Sequence, residues 1–583
     1  MRLEEYWGVG PKTAERLESS LGVAEAVDAI ESADVRALTD AGISRGRATR
    51  ILRRANGGEG MDVLATDDAR AVYKELVGLA AEHAVTPGAA DRIRVLTPLT
   101  DRGEMESRLD DVEAARETWA RLDAETRDAV LETFGAHDAV GDSQRAAVDT
   151  ALALQDALDD TTDAGVFSAV TALDRDSLAD AADALRYLTG DGVADGADAK
   201  LDRLREQADA VEQLGRDTAA VLEAVRSQGV QGTEAFREAF VQYVATETDV
   251  EPRLVREAMA FDAADATDFV STTLRDLGED VRERERDRED EVEAELRGDI
   301  STAREEVDAA VAAVSDLALD LSLARFADAF DLTRPEFVDR DAVAVEHARN
   351  LSLAGDGVDV QSVTYAVGEH GLAHPPTGDR VAVLTGANSG GKTTLLETLC
   401  QVALLAHMGL PVPAEQAEVG QVDAIVFHRR HASFNAGVLE ATLNSVVPPV
   451  SKGDRTLMLV DEFEAITEPG SAADLLHGLV TLTVDEEALG VFVTHLADDL
   501  EPLPETARTD GIFAEGLDQE LELLVDYQPR FETVGKSTPE FIVSRLVADA
   551  SDRAERAGYE TLARAVGEEA VQRTLADAKW TDD

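Results

Sequence analysis

The chain has 583 residues and carries 55 Lys and Arg against 118 Asp and Glu, a formal charge of −63, with 7 lysines against 48 arginines. Taken at face value that charge excludes a nucleic-acid partner held by long-range attraction. The acid is spread along the whole chain, however, and an evenly acidic, lysine-poor composition reads as adaptation to a cytoplasm at multimolar salt, where repulsion is screened within about 3 Å. Local departures from the acidity are therefore more informative than the total. Cys400 is the only cysteine, which excludes a disulfide framework and a cysteine-based zinc site. The N-terminus has no signal-peptide apolar region and no run of 18 apolar residues occurs, so a soluble cytoplasmic protein of roughly three or four domains is expected.

Residues 1–56 form a neutral island, with nine basic and nine acidic side chains. From Ile43 to Arg54 there are five arginines, Arg45 and Arg47 among them, and no acid. Leu3-x-x-x-Trp7-Gly8-Val9-Gly10-Pro-Lys12-x-Ala14-x-x-Leu17 resembles a helix-hairpin-helix element, and Leu38 to Ile51 resembles a second, more degenerate copy. In such an element Gly8 and Gly10 allow a tight turn whose N–H groups meet one DNA phosphate, while Lys12, Arg45 and Arg47 reach its neighbours. These contacts position the backbone without reading sequence, and they rely little on counterion release. The alternative is a small helical protein-docking domain. Asn56-Gly-Gly-Glu-Gly60 reads as a flexible linker.

Residues 61–350 are rich in Ala, Leu, Arg, Glu and Asp at helical spacing and read as mostly α-helical. Thr189 to Gly196, with three glycines, reads as a loop. Leu296, Ile300, Ala303, Val307, Ala310, Val314, Leu317 and Leu321 alternate steps of four and three, a heptad seam that predicts a coiled-coil arm over about 270–321. The mixed-charge run Val281 to Glu291 precedes it. It reads as a solvated helix held by i,i+4 ion pairs, or as the exposed end of the arm.

Residues 355–540 carry the chemistry. The apolar run Val381 to Leu384 predicts a buried strand; it opens into Gly386-x-x-x-x-Gly391-Lys392-Thr393, and Leu395, Leu396 and Leu399 follow at helical spacing. That is a P-loop, with Gly386, Gly390 and Gly391 turning backbone N–H groups onto phosphate. Lys392 reaches the β- and γ-phosphates of ATP and Thr393 holds Mg²⁺. Thr456 to Glu462 is a strand ending in two acids: Asp461 supports the metal and Glu462 polarises the attacking water. Gly490 to Thr494 predicts a further strand ending at His495. His495 is read as a γ-phosphate sensor, the alternative being a satisfied strand-end histidine. Only 69 residues separate Lys392 from Asp461, which excludes the inserted coiled coil of SMC-type ATPases. The Leu-Ser-Gly-Gly-Gln of ABC transporters is also missing.

Thr385-Gly-Ala-Asn388-Ser-Gly-Gly-Lys-Thr-Thr394 resembles the Walker A segment of MutS-family ATPases. Met408 to Ala414, Ala432-Ser433-Phe434, Asp461-Glu462 with Thr467-Glu468-Pro469, and Val491 to His495 are similar to further segments of that family. The likeness covers roughly residues 95–550 and points to the branch without mismatch-reading domains. It implies a homodimer with two composite ATP sites, in which Asn388 and Thr394 belong to the nucleotide loop and Ser433 of one subunit faces nucleotide on the other. It implies helical levers and a clamp that couple nucleotide state to grip on DNA. Ala432, Gly437, Glu464 and Ile466 depart from the family pattern. Gly511-Ile-Phe-Ala-Glu515 matches the family's mismatch wedge only literally, and no nuclease site is recognisable.

The expectation is a multidomain protein: a tandem helix-hairpin-helix module at 1–56, a large α-helical region with a coiled-coil clamp at 61–350, an α/β P-loop (ABC-type) ATPase domain at 355–540 and C-terminal helices at 541–583. Its expected activity is ATP hydrolysis controlling grip on structured or branched DNA in repair or recombination. Two alternatives stay open. One is a nucleotide-switched DNA-binding protein with little turnover; the other is an ATPase acting on the ribosome or structured RNA.

Overall fold

The computed structural model describes residues 3–574 apart from 141–143, 159–163, 190–191, 359, 387–390, 431–435, 453–454, 467–468, 518–522, 536–538, 551, 568–570 and 572–573. The chain divides into two compact units, one of Met1–Arg127 with Leu317–Asp583 and the other of Asp128–Asp316. Residues 61–127 thus share a unit with the P-loop segment. Two strands, Glu336–Val338 (β1) and Ala342–Ala348 (β2), lie inside the stretch whose composition reads as helical. Among the described residues, no helix is long and apolar enough to cross a membrane.

The first unit is built on two sheets. β1, β2, Val363–Gly368 (β3) and Gln416–Gly420 (β5) form a four-stranded sheet in the order β1-β5-β2-β3. The six-stranded sheet contains Val381–Gly386 (β4), Ala424–His428 (β6), Thr456–Asp461 (β7), Leu489–Val493 (β8), Ala507–Leu517 (β9) and Leu523–Arg530 (β10). Its order is β10-β9-β4-β8-β7-β6, parallel throughout except for β10 against β9. A parallel sheet is covered on both faces, so its strands are continuously apolar. In β4 the faces divide by pleat: Ala382 and Leu384 enter one core with Leu396, Leu399 and Tyr365, while Val381 and Val383 enter the other with Leu476, Val480 and Phe492. Cys400 is fully buried in the first core, and burial pushes its thiol well up.

The N-terminal module consists of Pro11–Leu21 (α1), Val23–Glu31 (α2), Val35–Asp40 (α3) and Arg45–Gly57 (α4) around a small core of Leu17, Ile30, Leu38 and Ile51. Val95 belongs to that core, so the module is docked on the helix Pro87–Val95. The glycine-rich stretch after it is no flexible linker. α4 runs through Gly57 and a 3₁₀ turn spans Gly58–Val63. Asn56 Nδ2 donates to the carbonyls of Ile30 (2.9 Å) and Leu52 (3.0 Å). The glycines are there for close approach: a Cβ on Gly57 would lie 2.4 Å from the Thr97 side chain, and one on Gly60 1.9 Å from the Pro98 carbonyl oxygen.

In the second unit, helix Ala199–Arg216 packs along Ala266–Thr302. The ion pairs Arg288–Asp198 (2.9 Å) and Arg282–Glu212 show the two running antiparallel. Ala208, Val211, Leu274, Leu277 and Val281 fill the seam. The arm-like pairing therefore lies upstream of the heptad seam read from sequence, and that seam is interrupted at Ala303, where one helix ends and Arg304–Ala329 begins. The mixed-charge run is largely exposed, as a solvated face would be, but three of its charges are held by partners outside the helix and not by i,i+4 pairs. Its charges reach across: Arg288 to Asp198, Arg282 to Glu212, and Glu289 to Arg205 (3.0 Å) and to the Val193 amide (3.2 Å). At the Thr189–Gly196 stretch a short antiparallel pairing forms, Leu188↔Val193 and Thr189↔Gly192.

The packing role of Gly60 gives a direct check. Gly60→Ala is expected to cost about 1–3 kcal/mol, as overpacking does, read as a lower denaturation midpoint. Gly46→Ala, whose Cβ meets nothing within 4 Å, should be neutral or slightly stabilising; equal effects of the two would restore the flexible-linker reading.

Candidate functional site

The site starts where β4 ends. Three glycines abut there with no room for side chains: a Cβ on Gly386 would lie 2.1 Å from the Ile512 carbonyl oxygen, one on Gly511 2.4 Å from the Gly535 nitrogen, and one on Gly535 2.9 Å from Gly386 Cα. Gly386 also has φ +125°, a conformation side chains disfavour. Thr385 Oγ1 ties the junction together, donating to the Asp510 carbonyl (3.0 Å) and accepting from the Gly535 amide (2.6 Å). Gly511 and Ile512 thus sit inside strand β9, consistent with the wedge-like match there being fortuitous.

Behind the junction lies a buried polar group. Arg508 Nε donates to both oxygens of Asp510 (3.2 and 3.0 Å), Tyr365 Oη donates to Asp510 Oδ2 (2.8 Å), and the Glu532 amide donates to Oδ1 (3.1 Å). Burial pushes the Asp510 carboxyl up, and the Arg508 guanidinium opposes it. These bonds join β3, β9 and the segment that carries Gly535.

Of the loop itself, Asn388 and Gly390 lie outside the described residues. Gly391 caps the helix Lys392–His407 at φ +70° without a side-chain cap, and a Cβ there would lie 2.8 Å from the Tyr527 ring. The helix N-terminus thus offers its first amides to an anion. Lys392 is buried, and its Nζ donates to the Gly386 carbonyl (2.9 Å). Burial pulls its pKa down while Glu462, Asp461 and Glu464 hold it up. Thr393 Oγ1 donates to Asp461 Oδ2 (2.6 Å). Asp461 is buried, and its other oxygen, Oδ1, has no hydrogen-bond partner among the described residues. An orphaned, desolvated carboxylate oxygen beside a hydroxyl is the donor set a hard divalent cation takes, so Thr393 and Asp461 fit Mg²⁺.

Glu462 follows at φ +42°, strained for a non-glycine residue, and its amide is anchored to the Val493 carbonyl (3.0 Å). Its two oxygens are both engaged, with His495 Nε2 at 3.0 Å and Arg430 Nη1 at 2.6 Å. The His495 hydrogen bond is the main cause of a pKa below the usual range, with Arg430 and Lys392 acting the same way against burial. His495 is therefore brought to Glu462, a contact that its reading as a γ-phosphate sensor did not include. Its own amide donates to Glu464 Oε1 (2.6 Å), which also accepts from Thr494 Oγ1 (2.9 Å). Glu464, a departure from the family pattern, is thus the residue that positions His495.

Gly391, Lys392, Thr393, Thr394 and Glu462 line one side of a cavity of about 380 Å³, whose other walls include Asn350, Leu353, Val358, Gln361 and Tyr527. Ser433 lies outside the described residues, as does Ala432. Sequence reasoning missed Arg430; its signal was an Arg429-Arg430 pair directly after an apolar strand. It also missed Tyr527 and Asn350, which come from distant strands and loops.

In the N-terminal module the two hairpins cross-brace each other. Arg16 Nη1 donates to the Gly42 carbonyl (2.9 Å), and Arg47 Nη2 donates to the Gly8 carbonyl (3.2 Å) and Thr13 Oγ1 (2.7 Å). Gly8 and Gly42 both have φ +80°. Gly10 caps α1 without a side-chain bond, and Lys12 is exposed. Arg45 pairs with the buried Asp91, so it also holds the module on its neighbour.

This architecture defines a mostly helical multidomain chain that joins a hairpin module to a mixed α/β domain. Residues 382–501 match the model of MutS domain V, and residues 5–56 match the SAM-like helix-hairpin-helix tandem. The chain is 43% identical over 218 residues to DNA-binding protein MutS2 of Pyrococcus furiosus, covering 37% of this chain and 38% of that one. It is 32% identical over 240 residues to endonuclease MutS2 of Solidesulfovibrio magneticus, covering 39% and 28%. The matches therefore span well under two thirds of these relatives. The similarity is thus to MutS domain V over residues 382–501 and to MutS2 relatives over little more than a third of the chain.

Asp510→Ala removes the nearest carboxylate from the buried Arg508 guanidinium, leaving it Asp379 at 3.5 Å and the Ala366 carbonyl, which is expected to cost up to about 3–5 kcal/mol, measured by equilibrium denaturation. A double variant with Arg508→Met should recover part of the loss.

Proposed function

We propose that the chain hydrolyses ATP to control its grip on DNA. The observation that carries this is the single cavity in which Lys392, Thr393 and Glu462 meet, with Asp461 bonded to Thr393 behind them. The Gly391 helix terminus and Lys392 would grip the β- and γ-phosphates, and Lys392 would exchange its bond to the Gly386 carbonyl for one to phosphate. Thr393 and Asp461 would hold Mg²⁺, which when bound neutralises charge on the phosphates. Glu462 orients the attacking water and takes its proton. His495 aims that carboxylate and stands beside the γ-phosphate position. The apolar wall of Leu353 and Val358 leaves room for a base.

DNA is the proposed partner through the module at residues 5–56, with Gly8, Gly10 and Lys12 on phosphate and Arg47 keeping the hairpin rigid. Arg45 is exposed enough to join them while paired to Asp91. The contacts are structural and not sequence-reading, so branched or otherwise structured DNA is the proposed substrate class. A homodimer with Ser433 completing the partner's site, a cytoplasmic location and adaptation to high salt complete the proposal. A second reading has its own support. Both oxygens of Glu462 are already held, by Arg430 and His495, which favours a nucleotide switch with slow turnover.

Steady-state phosphate release with and without DNA at high salt separates the two. Glu462→Gln should still bind ATP while kcat falls at least about a hundredfold, the usual scale of a lost general base. Unchanged turnover in that variant sinks the hydrolytic assignment.

A further inference from the structure

Trp7 is 58% exposed, although an indole is among the largest apolar surfaces a residue can bury. It is not loosely placed. Tyr6 and Val9 amides donate to the Leu3 (3.2 Å) and Tyr6 (3.1 Å) carbonyls, Val9 is buried in the module core, and Arg47 clamps the Gly8 carbonyl that follows Trp7. Gly8 itself is packed so that a Cβ would lie 3.2 Å from Ile51. The turn is thus anchored on both sides while the indole projects from it.

What surrounds Trp7 selects the partner. Among the described residues from 3 to 127, the only other exposed large hydrophobic side chain is Val23, so there is no contiguous apolar patch of the kind a protein partner needs. The turn that carries it is formed instead by Gly8 and Gly10, with Arg47 bonded to the Gly8 carbonyl, Lys12 exposed at the start of α1 and one exposed acid, Glu4, before it. An exposed aromatic ring on a bare backbone turn, with cations on the same module, is the arrangement that takes nucleobases and phosphates together. A base inside a continuous duplex has both faces covered, so an indole finds a free face only where stacking is interrupted.

Resting on the DNA-binding reading above, we propose that Trp7 is a stacking platform for an unpaired or terminal base, and that it is the element by which the module prefers interrupted DNA to continuous duplex. The preference is for a free base face and not for any one base.

The test uses the full chain, with a three-way junction carrying unpaired bases at its centre and a relaxed, covalently closed duplex circle that has no ends. Trp7→Ala should weaken junction binding about tenfold, within the range of a lost base–aromatic stack, and leave affinity for the circle unchanged. Trp7→Phe should keep most of the junction affinity. Equal loss on both substrates, no loss on either, or a phenylalanine variant as weak as alanine would overturn the inference while wild-type binding keeps the DNA reading intact. Wild-type protein that binds neither substrate overturns both.

Discussion

The structure depends on a place where no side chain fits. Gly386, Gly511 and Gly535 bring three backbone segments together at the end of β4, and each excludes a Cβ because of the next. The parallel pairing of β9 with β4, from Ala507↔Val381 to Ile512↔Gly386, can continue to the very start of the glycine-rich loop only because of this contact. A phosphate loop needs fixed amides more than it needs particular side chains. Here the strand end that precedes the loop is fixed from outside, through Thr385 and the segment of Gly535.

The polar groups behind that junction show why charge was placed in an otherwise apolar core. A buried carboxylate is costly unless its oxygens are satisfied. Asp510 is satisfied by Arg508, Tyr365 and the Glu532 amide, and it thereby fixes the relation of the four-stranded sheet to β9. Asp461, in the neighbouring strand system, is deliberately the opposite case. One oxygen is bonded to Thr393 and the other has no hydrogen-bond partner among the described residues, so its burial cost is offset only in part, by Thr393 and the nearby Lys392. The same residue type does structural service at one site and is left unsatisfied at the other, and the hydrogen-bond inventory tells them apart.

Much of this was readable in the sequence where the signal is local. The strand, loop and helix around Gly386 to Leu399 follow from apolar runs and glycine spacing, and the paired acids Asp461-Glu462 and His495 fall at strand ends as their flanking residues require. The misread features are those set by residues distant in sequence. Asn56 to Gly60 has the composition of a linker, but its glycines are demanded by Thr97 and Pro98. The charged run from Val281 to Glu291 has helix-surface composition, but its partners Asp198, Arg205 and Glu212 lie on another helix. β1 and β2 are short and follow a long helical stretch, so composition averaged them away. Arg430 could be seen as a charge after a strand, but not as the partner of Glu462.

The hairpin module and the cavity belong to one compact unit, and the contacts between them are continuous. Arg53 donates to the Arg94 carbonyl (2.8 Å) and stacks over Tyr73. Tyr73 lies on the helix Asp67–Glu82, whose capping residue Thr66 bonds both the carbonyl and the amide of Phe427 in β6 (2.6 and 3.1 Å). Asp68 accepts from the Arg429 amide (2.9 Å), and the next residue, Arg430, holds Glu462. Each joint is a directional bond or a packed ring, so the orientation of the hairpins is fixed relative to the strand end that carries Arg430. Contiguity of this kind does not by itself establish energetic coupling. What it does is show the routes by which coupling could be built: from helix Asp67–Glu82 through Arg429 and Arg430 to Glu462, or directly onto the helices Lys392–His407 and Leu351–Gly355 that line the cavity.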